Sequence, residues 1–306
     1  MARYIDGCRI YVEWVKGHSG IFGNEQTDLL AKSEVLNMES YNVRQLNVVS
    51  DIHLTALYWT NVLMDLDVGG KEDDGIIIAG DIAIPNRLGL FRGLFEMLSS
   101  KYKHVFIILG NHDYWDSNLI AARDFYFNFL IDFPNIHLMN VNEPFKVNNY
   151  IMVGDTLWTN FGNNSPRSKL LWRHEMNDGR YISDASVYYR NVDVEEIYKE
   201  HDYQFNKIKK IVEDNPNDKF IIVTHHAPSG LSVSSTYRGH YTNDYFYSDL
   251  SKFILDNTHI RYWIHGHMHQ RTSYRLGETT VVCNAYGYYR ETFASRFELI
   301  NLFEVE

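Results

Sequence analysis

From residue 45 onward the chain repeats one pattern, a short aliphatic or β-branched run that stops abruptly in polar residues. The runs are QLNVVSDIH, GIIIAGD, KHVFIILGNHD, KFIIVTHH and RYWIHGHMH. Near-continuous apolar runs of this length predict strands buried on both faces of a sheet. Between them, NRLGLFRGLFEMLSSKY and VEEIYKEHDYQFNKIKKIVED carry apolar residues at helical spacing, so strands and helices alternate as in an α/β fold. Ligands of open α/β sheets bind outside the carboxyl ends of the strands. The five runs are therefore expected to deliver their polar tips to one edge.

The pattern changes near residue 38, where the polar stretch NMESYNVRQ predicts a linker. Before it, CRIYVEWV reads as a strand and Asn24 as the cap of a helix through EQTDLLAKSEVL. Two domains are expected, 1–38 and 44–306.

Composition narrows the function classes. With 306 residues, 45% of them hydrophobic, the chain can bury one large core. No run approaches the roughly 18 apolar residues of a membrane span, and MARYIDGCRI lacks the basic and apolar sections of a leader. A cytoplasmic protein without a membrane partner is expected. Cys8 and Cys283 lie far apart and form no metal-ligand spacing, which suits a reducing compartment. The formal charge of −10 works against a basic nucleic-acid groove, leaving nucleic acid a less favoured partner than a small phosphate ester. Histidine is the informative excess, with 14 residues, seven of them at 53, 112, 225–226, 265, 267 and 269.

The polar tips are Asp51-x-His53, Gly80-Asp81, Gly110-Asn111-His112-Asp113, His225-His226 and Gly266-His267-Met268-His269. Each tip alone is an ordinary turn; their order, each directly after an apolar run, is not. Imidazole and carboxylate donors suit Mn, Fe, Zn or Ni, and Asp81, alone on its glycine turn, is the natural bridge between two ions. Asn111 is neutral, so only Asp51 and Asp81 oppose the four positive charges of two divalent metals. With one hydroxide the centre stays near +1 and attracts a phosphate ester. The glycines are expected to let the backbone turn sharply at the metals. An extended Gly-His-Met-His would aim both imedazoles one way and Met268 into the core. An extended turn at Asn111 would likewise send His112 away from the metals, toward substrate.

Residues 45 to about 300 resemble the calcineurin-like metallophosphoesterases, whose Asp-x-His, Gly-Asp, Gly-Asn-His-Asp/Glu, His and Gly-His-x-His pattern is present in order. The resemblance implies a four-layer αββα sandwich. It implies one metal on Asp51, His53, Asp81 and His269, and a second on Asp81, Asn111, His225 and His267. His112 would contact the phosphate, Asp113 would orient it, and His226 would lie behind the ligands. The implied activity is hydrolysis of phosphomonoesters or phosphodiesters by a metal-bridging hydroxide. A nuclease of the same superfamily is the alternative, and a non-catalytic interaction scaffold a third reading.

Outside the motifs, YRGHYTNDYF offers Arg238 as a substrate-binding group, with His240 and Asn243 beside it. Tyr286, Tyr288 and Tyr289 are candidates for the mouth of the site, with packing the plainer role. Residues 11–32 resemble the C-terminal strand and helix of ribonuclease H, with His18 and Asp28 at its active-site positions. Only ten residues precede Tyr11, too few for that family's other carboxylates, so the fragment is expected to be non-catalytic.

Overall fold

The computed structural model describes residues 3–5, 8–10, 38–55, 59–69, 71–185, 190–288, 291 and 297–302. The chain forms two units, Met1–Met38 and Glu39–Glu306. In the first, β1 (Arg3–Ile5) pairs antiparallel with β2 (Cys8–Ile10). The expected helix from Asn24, and with it His18 and Asp28, lies outside the described residues.

The second unit begins with β3 (Ser40–Tyr41), β4 (Leu46–Val49), β5 (Gly75–Ala79) and β6 (His104–Ile108). There follow β7 (Ser117–Asn118), β8 (Ile136–Leu138), β9 (Phe145–Val147), β10 (Tyr150–Asp155) and β11 (Ile182–Ser183). The last are β12 (Lys219–Thr224), β13 (Ile260–His265), β14 (Thr272–Leu276), β15 (Thr279–Cys283) and β16 (Ile300–Asn301). One sheet has the order β14-β15-β13-β12-β10-β9-β3 and the other β16-β4-β5-β6-β8. Within them β10, β12, β13 and β15 are mutually parallel, as are β4, β5, β6 and β8. β7 and β11 form a separate parallel pair.

Period-two alternation explains the layers. Ile77 and Ala79 of β5 and Phe106 and Ile108 of β6 join Ile221, Val223, Ile264 and Val282 of the other sheet in one core between the sheets. Their neighbours Ile76, Ile78, Val105 and Ile107 face the opposite way, into a second core with Leu94, Phe95 and Leu98 of the helix Arg92–Lys101. The other sheet carries the helix Val194–Asp214 against β10. Asp193 caps that helix in a box with Glu196, and Ile197, Ile208 and Val212 form its buried stripe. The result is the expected αββα sandwich.

The expected linker is instead part of this unit. Ser40 and Tyr41 pair with Lys146 and Val147 of β9, Val43 is buried between the sheets, and Tyr41 packs its ring on Phe106. Polar composition there reflects an edge strand. No helix among the described residues is long and apolar enough to cross a membrane.

Candidate metal centre

Parallel strands in both sheets end at the same edge, and the backbone ties the sheets together there. Ser50, after β4, bridges Ala285, after β15. The Ser50 and Tyr286 N–H groups donate to Asn284 and Ser50 carbonyls at 3.1 and 2.8 Å. Asp51 (φ +53°), His53 (+39°), Asp81 (+58°), His267 (+64°) and His269 (+49°) all lie in the left-handed region. Non-glycine residues enter it at a cost, and five at one edge mark a strained functional site. Gly80 turns at φ +87°, as expected of a glycine before a ligand. Gly110 is extended, and its need for glycine is close approach, since a Cβ there would meet the Asp81 carboxylate.

The seven sequence-predicted ligand residues converge. His53 and His269 turn their Nε2 atoms to within 2.9 Å of each other. Asp81 divides its carboxylate, Oδ2 lying 3.6 Å from His53 Nε2 and Oδ1 3.3 Å from His225 Nε2. Asn111 Oδ1 is 3.0 Å from the same His225 nitrogen, and Asp51 Oδ1 is 3.6 Å from His269 Nε2. Two groups result, Asp51, His53, Asp81 and His269, and Asp81, His225 and His267, each with donor atoms within 4.8 Å of one another. Asp81 belongs to both.

The electrostatics suit cations. Asp81 Oδ2 and His267 Nε2 are buried without a hydrogen-bond partner, a costly arrangement unless another group engages them. Burial drives His53 and His267 well below the usual imidazole range, leaving them neutral as a metal ligand must be. Burial alone would raise Asp81, but His225 and His112 outweigh it and hold the carboxyl well below its ordinary value. Burial opposes protonation of His225, yet Asp81 pulls it up to about 9. Nitrogen and oxygen donors in this mixture fit divalent transition ions.

Around these residues lies a layer of hydrogen bonds and rings. Asp113 was expected to orient His112; its carboxylate is instead taken by four backbone N–H groups, of Gly110, Asp81, Ile82 and Ala83, at 2.8–2.9 Å, and by the Tyr126 hydroxyl. Asp113 thus pins the Asp81 loop. The segment Asn111–Tyr114 is a 3-10 turn, so the expected extended geometry does not hold, and the His112 N–H donates to Asp81 Oδ1 at 2.9 Å. The His112 ring stands half-buried, stacked on Trp115 with centroids 3.6 Å apart and edge-on to His53 at 4.7 Å. His267 and His269 likewise are not extended, and Met268 is only half-buried, outside both core clusters.

Three groups escaped the sequence reading because no motif contains them. Asp178 accepts N–H bonds from Asn111 and Trp115, Glu291 engages His269 Nδ1 at 2.8 Å, and Phe246 stacks on His267 at 4.8 Å. Tyr288 stacks on His53 at 4.4 Å while remaining 46% exposed, a mouth position, whereas Tyr286 is buried and donates to Asp65. Tyr289 lies outside the described residues. His226 sits beside His267, rings 4.3 Å apart. Arg238 is exposed after the turn Ser235–Tyr237, and no hydrogen bond or ion pair among the described residues attaches it to the cluster.

Comparison with known proteins bears on the family and the fold. The uncharacterized protein L509 of Acanthamoeba polyphaga mimivirus is 27% identical over 269 residues, spanning 81% of this chain and 93% of that one. The crystal structure of phosphopantetheinyl hydrolase (PptH) from Mycobacterium tuberculosis shares the fold, with a TM-score of 0.65 at 16% identity, covering 86% of this chain and 96% of that one. The sequence profile of the calcineurin-like phosphoesterases matches residues 45–271, and by that match the chain belongs to the calcineurin-like phosphoesterase family.

Proposed function

We propose that this protein hydrolyses phosphomonoesters or phosphodiesters with two divalent metal ions, one held by Asp51, His53, Asp81 and His269 and the other by Asp81, Asn111, His225 and His267. The observation that carries the reading is the division of the Asp81 carboxylate, one oxygen toward His53 and the other toward His225. Bound there, the ions would activate water near neutral pH and neutralise charge on the phosphoryl group. His112 stands beside the two groups without belonging to either, so its ring is free to donate a hydrogen bond to a phosphoryl oxygen or a proton to the leaving alcohol. Trp115 fixes the plane of that ring. Asp113 keeps Asp81 in its left-handed turn, so it supports the ligands and makes no contact with substrate.

The test is metal analysis and turnover together. Protein stripped by chelator and reloaded with Mn, Ni, Zn or Fe is expected to bind two ions and to cleave an aryl phosphomonoester or phosphodiester. Asp81→Asn keeps the side-chain shape but leaves only one oxygen, and is expected to abolish turnover and reduce the content to one ion. Saturation by a single ion in the wild type, or full activity after chelation, refutes the dinuclear reading.

A further inference from the structure

We propose that Asp178 is a positioning residue which sets the orientation of the Asn111 amide and, through Trp115, the plane of His112. The inference rests on the dinuclear reading above. An asparagine ligand can offer a metal only its carbonyl oxygen, and a flipped amide would turn two N–H donors on the ion. Asp178 prevents the flip. One oxygen, Oδ1, accepts Asn111 Nδ2–H at 2.9 Å and Trp115 Nε1–H at 2.8 Å, leaving Asn111 Oδ1 turned toward His225. An ionised carboxylate has only acceptors, so it holds the amide nitrogen and rejects the amide oxygen.

The backbone holds Asp178 in place for this role. It opens the short helix Asp178–Tyr181, which leads directly into β11. β11 pairs with β7, so Ile182 lies opposite Ser117 and Ser183 opposite Asn118, while the Asp116 N–H donates to the Tyr181 carbonyl at 2.9 Å. The segment carrying Asp178 is thereby clipped to the one that follows Asn111, His112 and Trp115. Asp178 itself is 2% exposed, so no bulk water competes for its oxygen. One carboxylate therefore serves a metal ligand and the platform of the proton donor at once.

Mn²⁺ titration calorimetry of the full chain tests this, with thermal melts verifying that each variant folds. Asp178→Ala is expected to weaken one of the two Mn²⁺ sites by roughly 10–100-fold and to leave the other near wild type. The discriminating pair is Asp178→Asn in two backgrounds. Asn111→Asp alone sets two carboxylates face to face. Adding Asp178→Asn restores a donor and acceptor with reversed polarity, and Mn²⁺ should then bind about tenfold more tightly than to Asn111→Asp alone. In the wild-type background the same substitution should weaken binding or leave it unchanged. Turnover of an alkyl phosphate should stay low in the double variant, because the Trp115 N–H then faces an amide nitrogen. A merely structural role predicts the same effect of Asp178→Asn in both backgrounds, and that result, or two wild-type sites in Asp178→Ala, overturns the proposal. A wild-type protein that binds none of Mn²⁺, Ni²⁺, Zn²⁺ and Fe²⁺ sinks the dinuclear reading itself.

Discussion

His112→Ala should separate chemistry from metal binding. The ring belongs to neither ligand group, and the contact that ties this residue to Asp81 is made by its backbone N–H, which alanine retains. Truncation removes the stack on Trp115 at 3.6 Å and the edge contact with His53 at 4.7 Å. An aromatic pair contributes about 0.5–1.5 kcal/mol, so the melting temperature should fall by only a few degrees. Loss of a general acid costs about 10²–10⁴-fold, or about 3–5 kcal/mol in the barrier, well beyond any effect of the lost stack. Turnover of an alkyl phosphate should drop by that factor, whereas an aryl ester, whose leaving group needs less help, should lose much less. Metal content, measured by elemental analysis, should remain at the wild-type value. If the metals leave with the ring, or both esters are hydrolysed at their original rates, His112 does not do this work.

Three further outcomes are expected. His269→Gly and His269→Ala remove the same imidazole, but only glycine relieves the φ of +49°, so the metal-free glycine variant should be more stable by about 1 kcal/mol in denaturant titration. Far from the centre, burial first and His104 second pull His137 from 6.5 to about 4, with Glu39 opposing. A ring kept neutral by folding contributes stability that is whole above pH 6.5 and is lost as pH falls toward 4, so His137→Gln should flatten that acid limb of the unfolding midpoint. Deleting residues 1–38 should leave turnover within a few-fold, since every proposed ligand residue lies in Glu39–Glu306; a folded, metal-loaded truncation without activity would contradict this.

The site was legible wherever chemistry sat directly after an apolar run. Asp51, His53, Asp81, Asn111, His225, His267 and His269 could be named because a parallel strand carries its tip to a fixed edge whatever the loops do. Local conformation was not legible. The sequence suggests an extended Gly-His-Met-His, but no side-chain pattern announces a left-handed histidine, and His267 and His269 both adopt that backbone under tertiary constraint. Ser40–Tyr41 looked like a linker because an edge strand of two residues carries no periodicity. Asp178 and Glu291 meet their partners 67 and 22 residues away, contacts that only the folded chain creates.

The allocation of the proposed ligands between the sheets explains why so much strain is tolerated at this edge. Asp51, His53, Asp81 and Asn111 follow strands of the five-stranded sheet, while His225, His267 and His269 follow strands of the seven-stranded one. Each proposed ion therefore draws on both sheets, and the ligands must cross the seam where the inter-sheet core ends. Extended backbone would carry the side chains past that seam along the strand direction. A left-handed residue bends the chain within one step, and hydrogen bonds lock the bend: Asp113 holds the Asp81 N–H, and the Asp51 carboxylate accepts the N–H of His267 at 2.8 Å. Asp51 thus joins the sheets as well as being placed to offer an oxygen to a proposed ion, while Asp113, outside both ligand groups, holds the loop of Asp81 in the conformation that binding would require.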